Sequence, residues 1–206
     1  MKDLVARMQA QFDALVKKYS AAAAELELSF VNAGASEADF AELEQTLGYA
    51  LPEEFKELYR VANGEADDIY GVFAGDEWLS IERIIDEYDI WQALHADGSF
   101  QNDDGSDFGC QPEDAGIKPD FWWNPKWIPL TADGSGNGKM IDLDPAEQGR
   151  VGQIIQMWHD DAAREKEAAS LREFLQNYVR DLEAGLYVLD AEFGLILQSE
   201  LDEMQN

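Results

Sequence analysis

Apolar residues recur at steps of three and four through much of the first ninety positions. Leu4, Met8, Phe12, Leu15 and Tyr19 form one such stripe, and the alanines from Ala21 to Ala24 extend it at high helix propensity. The spacing predicts a helix from residue 2 to about residue 30. It either packs on the domain or serves as a dimerisation or partner helix. Asn32 to Ala35 breaks the pattern, with Gly34 as the stop. Ser36 then occupies an N-cap position, Asp39 sits at capping-box spacing, and Phe40, Leu43 and Leu47 share a face before Gly48 closes the helix. In LPEEFKELYRVANG, Pro52 suits a first helical turn. Phe55, Leu58, Tyr59 and Ala62 line one stripe, and Asn63-Gly64 supplies a left-handed stop.

After Gly64 the period shortens. Ile69 to Phe73 and Glu77 to Leu79 read as two strands joined by a turn at Ala74-Gly75-Asp76. Ser80 caps a helix in which Ile81, Ile84, Ile85 and Tyr88 repeat, and which fades near Leu94. From His95 to Pro119, glycine and proline prevent any long element, and loops of that length are usually functional or mobile. Trp127 to Pro145, WIPLTADGSGNGKMIDLDP, reads as a strand, a glycine-rich turn and a returning strand. Asp133-Gly134 and Asn137-Gly138 favour the positive φ that a tight connection requires. Ile141 and Leu143 face one way, Asp142 and Asp144 the other. Pro129 cannot donate to a ladder, so its strand belongs at an edge or carries a bulge.

Val151 to Trp158 is apolar on both faces and reads as a central strand. A helix from Ala168 to Glu183 presents Leu171, Phe174, Leu175, Tyr178 and Leu182, and Gly185 stops it. The tail fits either a short hairpin around Gly194 or a strand followed by a helix. Helices and strands are segregated rather than alternating. That predicts an α+β fold: a largely antiparallel sheet backed by helices, over residues 36–185. Residues 1–35 form a helical extension, and 186–206 an extension packed on the domain.

Composition adds a partner class. Forty-three acidic residues against 15 basic ones give a net charge of -28, which repels nucleic acid and anionic membranes and attracts basic proteins or cations. Solubility alone is the plainer explanation. The distribution sharpens the first: sixteen acidic residues lie between Glu65 and Asp120 against only Arg83 and Lys118, which is half the net charge. Hydrophobic residues at 46%, with six tryptophans, are ample for a packed core. A single cysteine, Cys110, excludes an internal disulfide and fits a reducing compartment. The first residues carry charges throughout with no apolar leader, and no run approaches ~20 apolar residues, so the default location is cytoplasmic.

Candidate chemistry is sparse. Asp133 to Gly138 copies the first half of an EF-hand loop, with Asp144 at the twelfth position, but strands flank it and a hairpin turn explains every residue. Asn102 to Asp107, NDDGSD, also crowds oxygen ligands. His159 beside Asp160 and Asp161 is spaced as a base with an orienting acid, or as an ordinary residue ending a strand. The turn GSGNG lacks the Lys-Ser/Thr of a phosphate loop, and no GxSxG, HExxH or CxxC is present. No catalytic residue, metal site or cofactor is expected, and a binding module is favoured over an enzyme. Trp78, Trp122, Trp123 and Trp127 suit core packing, with one of them as an exposed interface anchor as the alternative.

Four stretches in order, LPEEFKELYRVANG, GVFAGDEWLSIERIIDEY, WIPLTADGSGNGKMIDLDPAEQGRVGQIIQMWHDD and LREFLQNYVRDL, resemble successive motifs of the SUKH superfamily. This is the group around the fungal Smi/Knr cell-wall-assembly regulators, and the likeness covers roughly Ser36 to Glu183. The resemblance implies an α+β domain without enzymatic activity. Bacterial members are mostly immunity proteins that neutralise a cognate toxin, often a nuclease; fungal members regulate through partner proteins. Besides Trp78, the motif positions are Trp127, Pro129, Asp133, Gly134, Gly136, Asp142 and Asp144. The expected partner is therefore a basic protein, a cognate toxin domain, met through Asp67, Asp68, Asp76, Glu77, Trp78, Asp103, Asp104 and Asp107. The alternatives are a Smi/Knr-type scaffold with several partners and, in second place, a small-ligand or calcium-binding protein. The oligomeric state is left open. The first helix, the tail and the Gly98 to Pro119 insertion have no assigned counterpart.

Overall fold

The computed structural model describes residues 1–19, 30–66, 71–190 and 193–204. Within them the apolar stripes become the buried faces of helices. The first, α1 (Lys2–Tyr19), buries Leu4, Val5, Met8, Phe12 and Val16. The predicted extension of this helix to residue 30 falls outside the described residues. In α2 (Glu37–Leu47) the sequence signals act as expected. The Ser36 hydroxyl accepts from the Asp39 N–H, the Asp39 carboxylate accepts from the Ser36 N–H, and Gly48 ends the helix at φ 75°. The next helix, α3 (Glu53–Tyr59), stops sooner than its apolar stripe suggests, at Arg60 rather than at Gly64. Asn63 serves elsewhere: its Oδ1 accepts the Ile81 N–H at 2.8 Å, at the start of the next helix.

That helix, α4 (Ile81–Ala96), is capped by Ser80 and buries Ile81, Ile84, Tyr88 and Trp91. Before it, β1 (Glu77–Trp78) is only two residues long, and Phe73 to Asp76 closes a tight turn in both directions, Phe73 N–H to Asp76 O and Asp76 N–H to Phe73 O. Ala74 in that turn has φ 56° and Gly75 has φ 95°. Two successive positive φ values define a turn that favours Asn-Gly, so the alanine is held in a conformation its Cβ resists. Ile69 and Tyr70 of the predicted strand lie outside the described residues.

The main sheet comprises β3 (Trp127–Pro129), β5 (Gly138–Asp142), β6 (Gln153–Met157) and β8 (Lys166–Ala168), in the order β3-β5-β6-β8 and antiparallel throughout. Pro129 is therefore on an edge strand, where its missing N–H costs no ladder bond. Every residue of β6 is buried, which makes it the interior strand expected from its two apolar faces. Two small pairings flank the sheet: β1 with β4 (Thr131–Ala132), antiparallel, and β2 (Gln111–Pro112) with β7 (Ala163–Arg164), parallel. The fold is α+β.

Helix α5 (Leu171–Glu183), capped by Ser170, buries Leu171, Phe174, Leu175, Tyr178, Val179 and Leu182. At about 1.5–3 kcal/mol for each large side chain, this face is the strongest single docking element. It takes α1 on its flank, with Arg7 paired to Glu183 at 2.7 Å. The tail resolves both earlier alternatives at once: β9 (Tyr187–Asp190) and β10 (Gly194–Leu197) form a hairpin, and α6 (Gln198–Met204) follows it. Leu195 of the hairpin joins the same core as α1 and α5. Among the described residues no helix is long and apolar enough to cross a membrane.

Candidate functional site

The glycine-rich hairpin is a structural knot. Asp133 Oδ1 accepts the N–H groups of Ser135 and Asn137 at 2.7 and 2.9 Å, and Oδ2 accepts the Asn137 amide at 2.7 Å. These bonds hold the Asp133 carboxyl below its usual range, against the opposing effect of partial burial. Gly134 and Gly136 take the positive φ values, 78° and 100°. Gly138 does not. It lies in β5, where a Cβ would meet the Thr131 carbonyl oxygen at 2.1 Å, so close backbone approach is its role. His159 packs over Gly136 and directs both its backbone N–H and its Nδ1 to Asn137 Oδ1 at 2.9 Å. Asp133 thus uses both oxygens within the turn, and His159 steadies it.

Asp142 lies on a face of β5 that is itself covered. It is fully buried, with Oδ1 accepting from Trp127 Nε1 at 3.1 Å and from the Asp144 N–H at 2.9 Å. Its Oδ2 accepts from Gln153 Nε2 at 2.8 Å, and that amide also donates to the Gly116 carbonyl. Burial raises the Asp142 carboxyl above its ordinary range despite these bonds. Asp144 instead pairs with Lys118 at 2.5 Å and accepts from the Asn124 amide, which together hold it low against partial burial. Gly116 and Lys118 belong to the long loop, so the two motif aspartates fasten that loop to the sheet. Trp127 is buried with them.

Three of the seven carboxylates proposed for partner binding are also engaged within the fold. Asp67 and Asp68 lie outside the described residues. Asp76 Oδ2 accepts from Thr131 Oγ1 and Lys139 Nζ, both at 2.8 Å. Glu77 pairs with Arg83 at 3.1 Å. Asp107 Oδ1 accepts the N–H groups of Gly109 and Trp122. Trp78 cannot anchor a partner: it has no exposed surface, and its Nε1 donates to the Tyr59 hydroxyl at 3.1 Å. Asp103 and Asp104 do face solvent, at the tip of a hairpin closed by the Phe108 N–H to Phe100 O bond. Ser106 donates twice to Asp104 and keeps it ionised below its ordinary range.

A second acidic surface went unnoticed in the sequence. Glu82, Asp86 and Asp89 project from the side of α4 opposite its core stripe, at steps of four and three. Ile90 lies among them and is 55% exposed. Among the described residues only Arg83, 3.7 Å from Asp86 and already paired with Glu77, tempers this face. The sequence carries the signal: the acids occupy the off-core phase of a helix whose core phase the apolar spacing predicts.

Other chemistry-bearing groups are less organised. Cys110 is half-buried, which pushes its thiol up, and it donates to the Lys118 carbonyl. The fully buried Arg164 donates to the carbonyls of Asp161, Ala163 and Trp122, drawing the base of the long loop together. No group of three or more His, Cys, Asp or Glu side chains among the described residues is arranged to hold a metal ion.

Comparison with known proteins accords with this geometry. The chain is 29% identical over 166 residues to the cell wall biosynthesis/cell cycle regulator smi1 of Schizosaccharomyces pombe, covering 77% of this chain and 33% of the relative. It is 30% identical to KNR4/SMI1 homolog 2 of Debaryomyces hansenii, over 78% and 33% of the two chains. With the cell wall assembly regulator SMI1 of Saccharomyces cerevisiae it shares 24% identity over 73% and 36%. It thus spans about a third of the length of these relatives. The family model described as SMI1 / KNR4 family (SUKH-1) matches residues 34–177, the segment that contains the sheet, α2 to α4 and the buried aspartate network, and the chain belongs to that family.

Proposed function

We propose that this chain is a non-enzymatic protein-binding module of the Smi/Knr regulatory type, and that it engages basic surfaces of its partners. The observation that carries this reading is the outer face of α4. Asp86 and Asp89 flank an exposed Ile90, with Glu82 two turns before it on the same helix, while most other acids of the same segment are committed to internal bonds. An apolar contact ringed by charge combines affinity with electrostatic steering. The tip carboxylates Asp103 and Asp104 add to the same field. The matched relatives are named as regulators rather than enzymes, which supports the scaffold reading over toxin neutralisation.

The test is capture of partners from cell extract by the wild-type chain and by a Glu82→Lys/Asp86→Lys/Asp89→Lys variant. Several unrelated partners are expected, weakened at least tenfold in the variant and lost at about 1 M salt, where charge acts over only ~3 Å. Partners retained equally by both proteins at high salt would overturn the reading. A single stoichiometric basic toxin domain would replace the scaffold with an immunity protein.

A further inference from the structure

Between the 73–76 turn, the outer side of α5 and the first residue of β9 lies an open cleft of about 280 Å³. That is near the lower end of ordinary ligand pockets and suits a single side chain. The floor is aromatic. Phe73 packs against Phe174 at 5.1 Å and against Tyr178 at 5.0 Å, and Tyr178 meets Tyr187 at 5.2 Å. The Tyr178 hydroxyl donates to the Val72 carbonyl, which fixes that ring in place. Tyr187 is only half-buried and forms the accessible wall.

The rim carries charge, and its pairing indicates the guest. Lys139 is bound to Asp76 at 2.8 Å, with both side chains more than four-fifths buried. Arg180 donates to Asp181 at 3.0 Å and to the Asn177 side chain at 3.1 Å. Both cations are neutralised by the cleft's own residues. Glu167 is exposed and has no ion-pair partner among the described residues. Glu167 and Tyr187 line the same cleft, and Asp181, Glu200 and Glu167 all act electrostatically on the Tyr187 hydroxyl. Burial and these acids push that hydroxyl up to about 12, and the ring offers a neutral face at physiological pH.

We propose that this cleft receives an arginine side chain of a partner protein, its guanidinium stacked on Tyr187 and paired with Glu167. A planar cation with five donors suits one ring face and one exposed carboxylate better than a compact ammonium does. An anionic guest would face Glu167 and the field of the whole chain. The family match ends at residue 177, and Tyr178, Arg180, Asp181 and Tyr187 lie beyond it. The cleft is thus completed by a part of the chain outside the segment that the family model matches. The inference rests on the partner-binding reading only in assigning the arginine to a protein.

The experiment is an amide NMR titration with N-acetyl-argininamide, with N-acetyl-citrullinamide as the uncharged isostere. Saturable shifts confined to Glu167, Asn177 and Tyr187 are expected. Binding should weaken roughly three- to fivefold for citrullinamide and for Glu167→Gln, the effect of one partly exposed charge pair. Shifts that map to the outer face of α4, or that are equal for both probes, or that are unchanged in Glu167→Gln, would overturn it. Glu167→Gln alters an exposed, unpaired side chain, and an unchanged spectrum before titration verifies its fold. Loss of partners in the α4 variant without cleft shifts would sink this inference alone. Cleft shifts with partner capture unmoved by the α4 variant would sink the regulatory reading alone.

Discussion

The carboxylates inside the hairpin sheet and those along the outer face of α4 come from one very acidic chain, yet their oxygens go to different places. Asp142 has no exposed surface, and its oxygens accept from an indole, an amide and a backbone N–H. Glu82, Asp86 and Asp89 face water. The difference is one of backbone geometry. Alternation along β5 turns Asp142 into a second buried layer, whereas helical period turns the α4 acids away from the core. Composition therefore measures two quantities at once: charge that organises the fold and charge left over for partners.

The largest effect expected from probing this contrast is at Asp142. Asp142→Ala leaves the buried Trp127 and Gln153 donors without their acceptor and should cost about 3 kcal/mol in urea unfolding, with Asp142→Asn costing less. A loss below ~0.5 kcal/mol, the range of ordinary surface sites, would erase the distinction. Next comes Ala74, whose left-handed backbone suits asparagine better: Ala74→Asn should raise stability by about 1 kcal/mol and leave the cleft beside it intact. The triple lysine variant of α4 should then shift unfolding by no more than about 0.5 kcal/mol. A larger loss would mean that this face also supports the fold.

The smallest effects lie in the pH dependence. Asp144, held low by Lys118 and Asn124, contributes stability that is present above about pH 4 and fades as pH falls through its native value. Asp142, raised by burial, runs the other way: its contribution is complete below about pH 4 and is lost as pH rises through its native value. Asp144→Asn should flatten the acid limb of the stability curve. Asp142→Asn should remove the opposing slope. Equal slopes in wild type and both variants would count against the assignment.

Much of the architecture is legible in the sequence, because it depends on local signals. Ser36 and Gly48 bound α2, the stripe from Leu171 to Leu182 defines α5, and Pro129 predicts an edge. What escapes depends on tertiary context. The strands β2, β7 and β8 are two or three residues long, too short for a period to emerge. Asp142 alternates with Ile141 as a half-exposed strand should, and only Trp127 and Gln153, which pair with its strand from either side, reveal that its face is covered. Trp78 fails as an interface residue for a similar reason, since its hydrogen-bond partner Tyr59 comes from helix α3. The cleft was the least legible feature: its wall and rim come from the 73–76 turn, β5, β8, α5 and β9, and no single stretch carries its pattern.

The edge strand β3 has a consequence for the manner of recognition. Trp127, Ile128 and Pro129 are all buried, and the proline has no N–H to offer. A sheet margin of this kind gives an incoming chain no ladder to extend, so augmentation by a foreign strand is closed along that side. It also blunts self-association through the same margin. Recognition there has to proceed by side chains rather than by shared backbone hydrogen bonds, which makes partner choice sensitive to single substitutions on either protein.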